Sequence, residues 1–583
     1  MLNQDSPEKW REVGSQVKFQ TNHCVRLKSQ LNFSGNRESD MCAFSVEKLL
    51  SNAINYQNKG NYDEAIKSYN HILEHNSLNL TAMNNLSVLY INSANLEKAE
   101  KLLLKIVNNG FLDENILNHL SVVYMRTYRF EEALKMLDHA MQMNPFKIET
   151  YLNLTNVCST MKKTDLAIHY ALEGVKIDPG SSLAFNNLGS IFNSMAMFNE
   201  ARIAFETACA LDKKNIEPIV NLGTIHSRFM ENDMAIKMFS KALRLLPKNA
   251  KSQSDVIKFL LGFELLKKGD LELGWKYYDC GFHPNIPKEN SRTPPRQFNK
   301  PIWDGSKIEG KTILIWREQG LGDEILFYSC LPDLIRYHDG IILEVDKRLV
   351  DIIQRSFPNI VVREQNFGPP PYFDSTYQDY DYHLPLASLM RHFRKSLQDF
   401  KTSGYKLKPD VNKKQYFSNL LSPYKEKIII GICWRSGNID PLRAMNYLSI
   451  MKCGELFSMN DVVWVNLQYG DCEKECIEAE NEYGIEIIRW PNLNLKDDLD
   501  DVFALISELD YVITVGTAVQ TMAASLGVET LLISPPEKAW HNFGLDYDPW
   551  FPNIHTFTAD YKNLAEALPF VKKHIIEHGK KSK

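Results

Sequence analysis

Residues 311–327 have the sequence KTILIWREQGLGDEILF. The run TILIW is short and apolar throughout, which predicts a strand buried on both faces of a parallel sheet. Gly320 and Gly322 follow it, and glycine lets the backbone turn sharply into the next apolar segment. We therefore expect a buried strand, a charged turn and a helix, and the rest of the chain decides what such a unit belongs to.

The composition is that of an ordinary globular protein. With 583 residues the chain is too long for one hydrophobic core, so we expect two or three domains. A net charge of −5 gives no reason to expect nucleic acid as a partner. Ten cysteines without a pairing rhythm favour a reducing compartment. Cys472 and Cys476 lack further metal ligands nearby, and we interpret them as thiols on a helix surface.

No segment of the sequence predicts export or a membrane span. The N-terminus, MLNQDSPEKWREV, lacks the basic and then apolar layout of a signal peptide. The apolar window 514–534 is interrupted by glycines and a glutamate, which favours strand, turn, helix and strand over one membrane helix. We expect a soluble, cytoplasmic protein.

The first half of the chain repeats itself at a constant spacing. The copies at 114–147, 148–181, 182–215 and 216–249 carry small and apolar residues at the same offsets. Looser copies begin near residues 46 and 80, and the small position is occupied by Ala65, Ala99, Ala133, Ala167, Ala201 and Ala235. This is the tetratricopeptide pattern, in which pairs of amphipathic helices stack into an all-α superhelix with a groove for a segment of another protein. A solenoid used only for self-assembly is the alternative.

The boundaries around the repeats follow from composition. Residues 1–45 show no repeat and are expected to be loosely ordered, while 46–249 hold six repeats. Residues 250–282 are expected to form capping helices, and the Pro-, Asn- and Lys-rich segment 283–310 is interpreted as a linker. His226 occupies a position that is usually aromatic and is interpreted as a packing residue.

Strands and helices alternate in two further blocks, 311–420 and 421–583. This alternation predicts an α/β region of two Rossmann-like halves. Within the first block we expect one continuous helix at 324–338 and loops at 366–385.

Three turns follow the carboxyl ends of predicted strands, where ligands of such sheets bind. They are WREQGLGDEILF (316–327), CWRSGN (433–438) and TVGTAVQTMAASLG (514–527). A helix that starts at Thr517 points free backbone N–H groups into the crevice, and these favour a phosphate by roughly 0.3–2 kcal/mol. A tight turn without a ligand is the alternative.

These turns carry a family resemblance. GLGDEILF resembles the glycine-aspartate turn of lipopolysaccharide heptosyltransferases, and GTAVQTMAASLGVETLLIS is similar to their later strand, helix and strand. With WRSGN and VNLQYGD between them, the second half resembles bacterial proteins that join tetratricopeptide repeats to a glycosyltransferase, including flagellin-modifying enzymes. The resemblance implies a GT-B fold, a nucleotide-sugar donor as substrate with no separate cofactor, and a protein acceptor bound by the repeats.

The resemblance also implies a role for each matching position. The donor and its phosphates would contact Trp434, Ser436, Gln468, Tyr469, Gly516, Thr517, Ala518 and Val519, with Gln468 and Tyr469 near the base. Arg435 would be the catalytic cation that faces the departing phosphate. The acceptor side would be formed by Arg317, Gln319 and Gly322 around Asp323.

Asp323 is the candidate general base, kept ionised by the helix dipole. A helix cap is the alternative role for this residue, with Glu318 and Glu324 as substitute bases.

Two departures from the heptosyltransferase pattern favour a phosphate site built from backbone. Gly516 stands where the family has an acid, and Thr521 stands where it has a histidine. Acidic triplets typical of metal-dependent transferases occur at Asp379/Asp381, Asp498/Asp500 and Asp546/Asp548, but none follows a predicted strand in the expected way. We therefore expect a metal-independent enzyme.

The leading hypothesis is a glycosyltransferase that moves a sugar from a nucleotide donor to Ser or Thr of a protein, flagellin being one possible acceptor. One alternative is a scaffold or chaperone whose transferase half has lost its chemistry. Another is transfer to a lipid or glycan. The sequence leaves open the nucleotide, the sugar, the stereochemical course and the oligomeric state.

Overall fold

The computed structural model describes residues 37–282, 292, 296–366, 377–401, 405–437, 446–536, 540–560 and 563–580. The chain divides into two compact units, Met1–Asn221 and Leu222–Lys583. Residues 1–36 and most of 283–295 lie outside the described part, and with them much of the expected loose N-terminal segment and of the linker. The described part of that first segment is helical from residue 37 onward.

The first part of the chain is a run of paired helices. Their bounds are α1 Arg37–Asn58, α2 Tyr62–His75, α3 Leu80–Asn92, α4 Leu96–Asn108, α5 Glu114–Arg126, α6 Phe130–Met143, α7 Ile148–Thr160, α8 Thr164–Ile177, α9 Ser182–Ser194, α10 Phe198–Leu211, α11 Ile216–Arg228 and α12 Asn232–Leu245. The alanines that occur once per repeat, from Ala65 to Ala235, are fully or almost fully buried. A larger side chain there would push the two helices of a repeat apart, which is why the position is small.

The turn inside each repeat recurs with the same period. Its last residue has a left-handed backbone, with φ between 57° and 77° at Gly60, Ala94, Tyr128, Lys162, Ala196 and Met230. Five of these six are not glycine, so the repeat geometry imposes a conformation that L residues adopt at a cost.

In two repeats a glycine on the first helix faces a phenylalanine on the second. A Cβ added to Gly189 would lie 2.7 Å from the ring of Phe205, and one added to Gly223 would lie 2.7 Å from the ring of Phe239. The earlier repeat has Ser121 and Leu137 at the same two positions. The glycines therefore make room for the phenylalanines that replace the smaller side chain.

Helices α13 (Lys251–Lys267) and α14 (Leu271–Tyr278) belong to the second unit and pack against its α/β part. The indole Nε1–H of Trp275 donates to the carbonyl of Arg394 at 2.9 Å. The ring of Tyr278 stacks on Trp540 with a centroid distance of 5.4 Å. These two helices are thus part of the sheet-containing unit, beyond the capping role that the sequence suggested.

The α/β part holds two parallel sheets, which confirms the predicted fold class. The first has the order β3-β2-β1-β4, with β1 Ile313–Trp316, β2 Ile341–Val345, β3 Val361–Glu364 and β4 Tyr382–Pro385. Its helices are α15 Leu321–Phe327, α16 Leu331–Tyr337, α17 Val350–Ser356 and α18 Met390–Phe393. All four residues of β1 are buried, as expected from the run TILIW.

The second sheet has the order β10-β9-β8-β5-β6-β7. Its strands are β5 Ile428–Cys433, β6 Val462–Asn466, β7 Ile487–Ile488, β8 Tyr511–Thr514, β9 Glu529–Ser534 and β10 Ile554–Thr558. The helices of this part of the chain are α19 Val411–Leu421, α20 Gly454–Phe457, α21 Glu473–Tyr483, α22 Leu499–Ile506, α23 Ala518–Leu526 and α24 Leu568–His578. If the six strands are numbered 1 to 6 along the chain, their order across the sheet is 3-2-1-4-5-6, which is the strand order of a Rossmann fold.

Several local expectations were wrong. The helix expected at 324–338 is interrupted by a 3₁₀ turn at Tyr328–Cys330. The segment 366–385 contains strand β4, which the aromatic and acidic residues before it concealed. Cys472 and Cys476 are buried, not on the surface, because their helix packs its first turn against the sheet. His226 is buried as expected, and its ring bonds to Glu231.

Candidate functional site

The strand order places one switch point in each sheet. Neighbouring strands β1 and β4 lead to connections on opposite sides of the first sheet, and β5 and β8 do so in the second. Ligands of open parallel sheets bind beyond the carboxyl ends of the strands at such points. The three turns singled out from the sequence follow β1, β5 and β8, so they lie at the two switch points.

Short contacts connect each of these turns to the next. A Cβ on Gly322 would lie 3.4 Å from the Cα of Ala518 and 3.5 Å from Thr521 Oγ1. Thr517 Oγ1 is 3.7 Å from Cys433 Sγ, which is itself 3.7 Å from Gln468 Oε1. The ends of β1, β8, β5 and β6 therefore form a single continuous wall, and α15 and α23 meet at their N-terminal turns.

Asp323 lies in the first turn of α15, whose N-cap is Gly320. Its carboxylate accepts a hydrogen bond from the Gly320 backbone, which is the helix-capping role that the sequence left open. Burial is nevertheless the stronger influence and raises the pKa of Asp323 to about 6, with a further contribution from the charge of Glu318. The residue thus combines a capping bond with the pKa of a useful base.

The two substitute bases have other partners. Glu318 is fully buried, accepts from Arg292 Nε at 2.6 Å and accepts from the Ala387 N–H at 2.9 Å. Glu324 is also fully buried and accepts from the hydroxyl of Tyr328 at 2.6 Å and from the Asp346 N–H at 2.9 Å. Both carboxylates therefore hold the turn in place, which leaves the half-buried Asp323 as the remaining acid of the turn.

Arg317 and Gln319 support the same turn. Arg317 Nε donates to Glu324 Oε2 at 2.7 Å, so its charge is largely committed. Gln319 has a left-handed backbone with φ of 62°, and its Nε2 donates to the hydroxyl of Tyr278 at 3.3 Å. Tyr278, on α14, was not predicted from the sequence, because its place beside the turn depends on how that helix packs.

The turn after β8 is built from small residues. Thr517 is the N-cap of α23, but its side chain makes no capping bond to the helix. Its hydroxyl lies 3.2 Å from Thr514 Oγ1 instead. Gly516 is exposed, and no described atom lies within 4 Å of where its Cβ would be. The N–H groups of Ala518 and Val519 thus begin a helix beside open space, a geometry that suits an anion.

Arg435 does not present a free charge. Its Nε donates to Glu475 Oε1 at 3.0 Å and its Nη2 donates to the Asp471 carbonyl at 2.6 Å. The bond to Glu475 raises the pKa of Arg435 further. The guanidinium thus forms an ion pair with Glu475. The sequence did not predict this pair, because Glu475 lies on α21, far from Arg435 along the chain.

The residues expected near the donor base are mostly tied to one another. Gln468 is buried, and its Oε1 accepts from the N–H groups of Trp434 at 3.1 Å and Arg435 at 2.9 Å, while its Nε2 donates to the Tyr469 carbonyl. The hydroxyl of Tyr469 donates to Ser436 Oγ at 3.3 Å. Gln468 is therefore a clamp between the ends of β5 and β6, and Tyr469 is the half-buried aromatic surface beside it.

Within the described residues, no three His, Cys, Asp or Glu side chains gather as a metal-binding group. In the same residues no helix is both long enough and apolar enough to cross a membrane.

A second polar surface lies on the repeats of the first unit. The first helices of successive repeats, α3, α5, α7 and α9, contact one another. Amides bridge them: Asn153 Nδ2 donates to Asn118 Oδ1 at 2.9 Å, and His119 Nδ1 lies 3.0 Å from Asn84 Oδ1. A cavity of about 260 Å³ opens there between α5 and α7, lined by Asn115, Asn118, His119, Glu149, Leu152 and Asn153.

Comparison with known proteins identifies the repeats. Residues 58–118, 115–144 and 183–215 each match the tetratricopeptide repeat family. The last segment nearly coincides with the fifth repeat predicted at 182–215. The chain therefore contains tetratricopeptide repeats in the predicted phase.

One curated relative spans both units. Protein FlbA of Caulobacter vibrioides (strain ATCC 19089 / CIP 103742 / CB 15) is 26% identical over 447 residues, which cover 73% of this chain and 72% of FlbA. Among solved structures, pilF of Pseudomonas aeruginosa is 18% identical over 36% of this chain and 96% of its own, with a TM-score of 0.30. The Cut9–Hcn1 assembly of the APC/C is 16% identical over 40% of this chain and 45% of its own, with a TM-score of 0.35.

Proposed function

We propose that this protein is a glycosyltransferase that moves a sugar from a nucleotide donor to a Ser or Thr of a protein bound by its repeats. The observation that carries the proposal is the meeting of α15 and α23 at their N-terminal turns, where Gly322 lies against Ala518. One turn offers a carboxylate and the other offers the backbone donors of a helix start. Transfer of a sugar to a hydroxyl needs such a pair, a base for the acceptor and a stabiliser for the departing phosphate.

In this proposal the donor phosphates lie at the start of α23. The N–H groups of Ala518 and Val519 and the positive end of the helix dipole oppose the negative charge that grows on the leaving group. The hydroxyl of Thr517 donates to Thr514 Oγ1, whose own proton goes to the Val515 carbonyl, so the phosphate site rests on the backbone N–H groups. Gly516 leaves room for the phosphate, since no described atom fills the place of its Cβ.

Asp323, on the turn after β1, is the proposed base. With a pKa of about 6 it is mostly ionised at neutral pH, yet basic enough to accept a proton as the acceptor oxygen attacks. Glu318 and Glu324 are excluded from this role by their burial and by their bonds to Arg292, Tyr328 and backbone N–H groups. Arg435 is better assigned to shaping the WRSGN turn, because Glu475 already neutralises it.

The repeats are the proposed site for the acceptor protein. Bonded amides on α5, α7, α9 and α11 form a polar row at one spacing per repeat, which suits an extended segment of chain.

A scaffold without catalysis is the second candidate. This function is favoured because Arg435 and Gln468, two side chains expected to bind the donor, are already hydrogen-bonded to other residues of the chain.

Two measurements separate these functions. Thermal unfolding with UDP, GDP, ADP or CMP at millimolar concentration tests for a nucleotide site, because a ligand at 100 times its Kd stabilises by about 2.7 kcal/mol. Intact-mass comparison of proteins from cells with and without this chain then tests for transfer. A sugar-sized mass loss on one protein, restored by wild type and not by Asp323→Asn, supports the enzyme. If no nucleotide stabilises the protein, and no protein changes in mass in cells that lack this chain, the scaffold function is supported.

A further inference from the structure

The cavity between α5 and α7 differs from the rest of the amide row. In the preceding and following repeats the residue at the position of His119 is asparagine, namely Asn85 and Asn153. A glutamate also stands at the cavity rim, where Glu149 lies in the first turn of α7. The cavity is therefore a place where the regular row is replaced by a distinct set of polar groups.

The polar atoms of this cavity are mainly acceptors. Burial lowers the pKa of His119, so the ring is neutral at pH 7. An amide oxygen only accepts, so with the assigned orientation of Asn84 the Nδ1–H of His119 donates to Asn84 Oδ1. Nε2 of His119 is then left as an acceptor, for which the described residues supply no partner.

Only some of the donors of the cavity are already used, since the amide of Asn115 has no bond among the described residues. Both protons of Asn118 Nδ2 are taken, by the Glu114 carbonyl at 2.7 Å and by Thr150 Oγ1 at 2.9 Å. One proton of Asn153 Nδ2 is taken by Asn118 Oδ1. What remains for a ligand is a majority of acceptors, namely His119 Nε2, the Asn153 and Asn115 amide oxygens and the Glu149 carboxylate, beside the N–H groups of Asn115, one N–H of Asn153 and the apolar wall of Leu152.

The charge of Glu149 is only weakly compensated. Lys147 Nζ lies 3.6 Å from Glu149 Oε2, which is too far for a hydrogen bond. Both side chains are partly exposed, with 28% and 56% of their surface accessible, and exposed pairs of this kind contribute little. A cation that also bonds to His119 and Asn153 would therefore compete well for the carboxylate.

We propose that this cavity binds a lysine or arginine side chain of the protein that occupies the repeats. The stem of such a side chain would pack on Leu152, and its cationic head would donate to Glu149, Asn153 and His119. The inference rests on the cavity and on the part of the proposed function that places a partner protein on the repeats, and it remains valid if the α/β unit catalyses no transfer. It adds to the proposed function by naming one feature of the partner.

The test measures peptide binding to the full chain by isothermal titration calorimetry. The probes are blocked nonapeptides of glycine and serine with lysine, arginine, norleucine or glutamate at the centre. We expect the lysine and arginine peptides to bind about tenfold more tightly than the norleucine peptide, because a charge-assisted bond contributes on this scale. We expect Glu149→Gln to reduce that difference to less than about twofold.

Matched variants complete the test. Glu217→Gln removes an exposed glutamate at the same repeat position two repeats later and should leave the preference unchanged. Lys147→Met should strengthen lysine binding, since it removes the competing cation. Equal binding of the lysine and norleucine peptides, a preference that survives Glu149→Gln, or no binding of any probe would each overturn the proposal. None of these readings depends on sugar transfer, so failure of the proposed enzyme and failure of this cavity are distinguishable.

Discussion

The two turns that meet in the α/β unit are built in opposite ways. The turn after β1 is surrounded by buried charges, with Glu318 and Glu324 fully enclosed and paired to Arg292 and Arg317. The turn after β8 contains glycine, threonine and alanine, and its helix starts beside open space. The first arrangement fixes one half-buried carboxylate, Asp323; the second leaves backbone donors free. Fixed charge at one turn and free donors at the other is the division that the proposed transfer site would need.

The largest expected effect is that of Asp323→Asn, which should abolish the proposed sugar transfer. Removal of a general base reduces a rate by roughly 10²–10⁴-fold. For wild type, the rate should rise with pH through about 6 as the carboxylate ionises. Steady-state rates between pH 5 and 8 check both points, and a rate in the variant close to wild type would remove Asp323 from the mechanism.

The same variant should be more stable than wild type. The folded pKa of about 6 lies above the unfolded value of about 3.9, so ionisation opposes folding, and the stability held by the protonated acid is lost as pH rises between these values. Asp323→Asn should therefore unfold like wild type near pH 4 and gain up to about 3 kcal/mol above pH 6. Urea unfolding at several pH values measures this. Asp351→Asn, at an exposed position early in α17, serves as the control and should show no such pH-dependent gain.

Removing one member of a buried ion pair at the first turn should lower the free energy of unfolding by an amount similar to that gain. Arg292→Met leaves Glu318 ionised and enclosed, which destabilises by about 3–5 kcal/mol. Thr514→Val at the second turn removes two hydrogen bonds, to the Val515 carbonyl and to Thr517 Oγ1, and should cost about 1–3 kcal/mol. Urea unfolding compares the two, with Arg202→Met as a control for a surface ion pair, expected to cost about 0–1 kcal/mol. Equal costs at the two turns would contradict the contrast drawn between them.

Filling the open space at the second turn should affect binding and not stability. In Gly516→Val the added Cβ meets no described atom within 4 Å, so the unfolding midpoint should change little. The same atoms would occupy the proposed phosphate position and weaken the stabilising nucleotide by about tenfold or more. Thermal shift titrations measure this. Unaltered nucleotide affinity in Gly516→Val would place the phosphates elsewhere.

The smallest expected effect concerns backbone strain at the first turn. Gln319 has a φ of 62°, and Gln319→Gly should relieve a strain of about 1 kcal/mol, partly offset by the loss of the bond to Tyr278. Tyr128 in the repeats has a φ of 61° and an exposed side chain, so Tyr128→Gly loses no hydrogen bond and only the edge contact of its ring with Phe130, and it should show more of the relief. Chemical unfolding of both variants checks the difference, and destabilisation of Tyr128→Gly would refute the strain argument.

Much of the fold could be predicted because its signals are local. The repeat period places one alanine in each unit, from Ala65 through Ala235, and every one of these positions is buried. The strands β1, β2, β5 and β8 were each predicted by a short apolar run. Strand β4 was missed because Tyr382–Pro385 gains its strand pairing from β1, which is distant in the sequence, and not from its own pattern.

The candidate site was predictable only in part. The glycines and the aspartate of GLGDEILF marked the first turn, and the small residues after β8 marked the second. The partners that decide what each side chain is free to do are distant in sequence. Glu475 engages Arg435 from another helix, and Arg292 engages Glu318 from the segment that was interpreted as a linker.

The sequence by itself determined the repeats, the two strand-and-helix blocks and the positions of the turns between them, because periodicity and glycine act through neighbouring residues. Only the tertiary structure decided that the turns at Gly322 and Ala518 touch, that α14 belongs with the sheets and that Arg435 is neutralised. Burial and charge pairing depend on which surfaces meet. They therefore separate the half-buried Asp323, whose pKa burial raises to about 6, from Glu318 and Glu324, which lie in the same short motif and only hold it together.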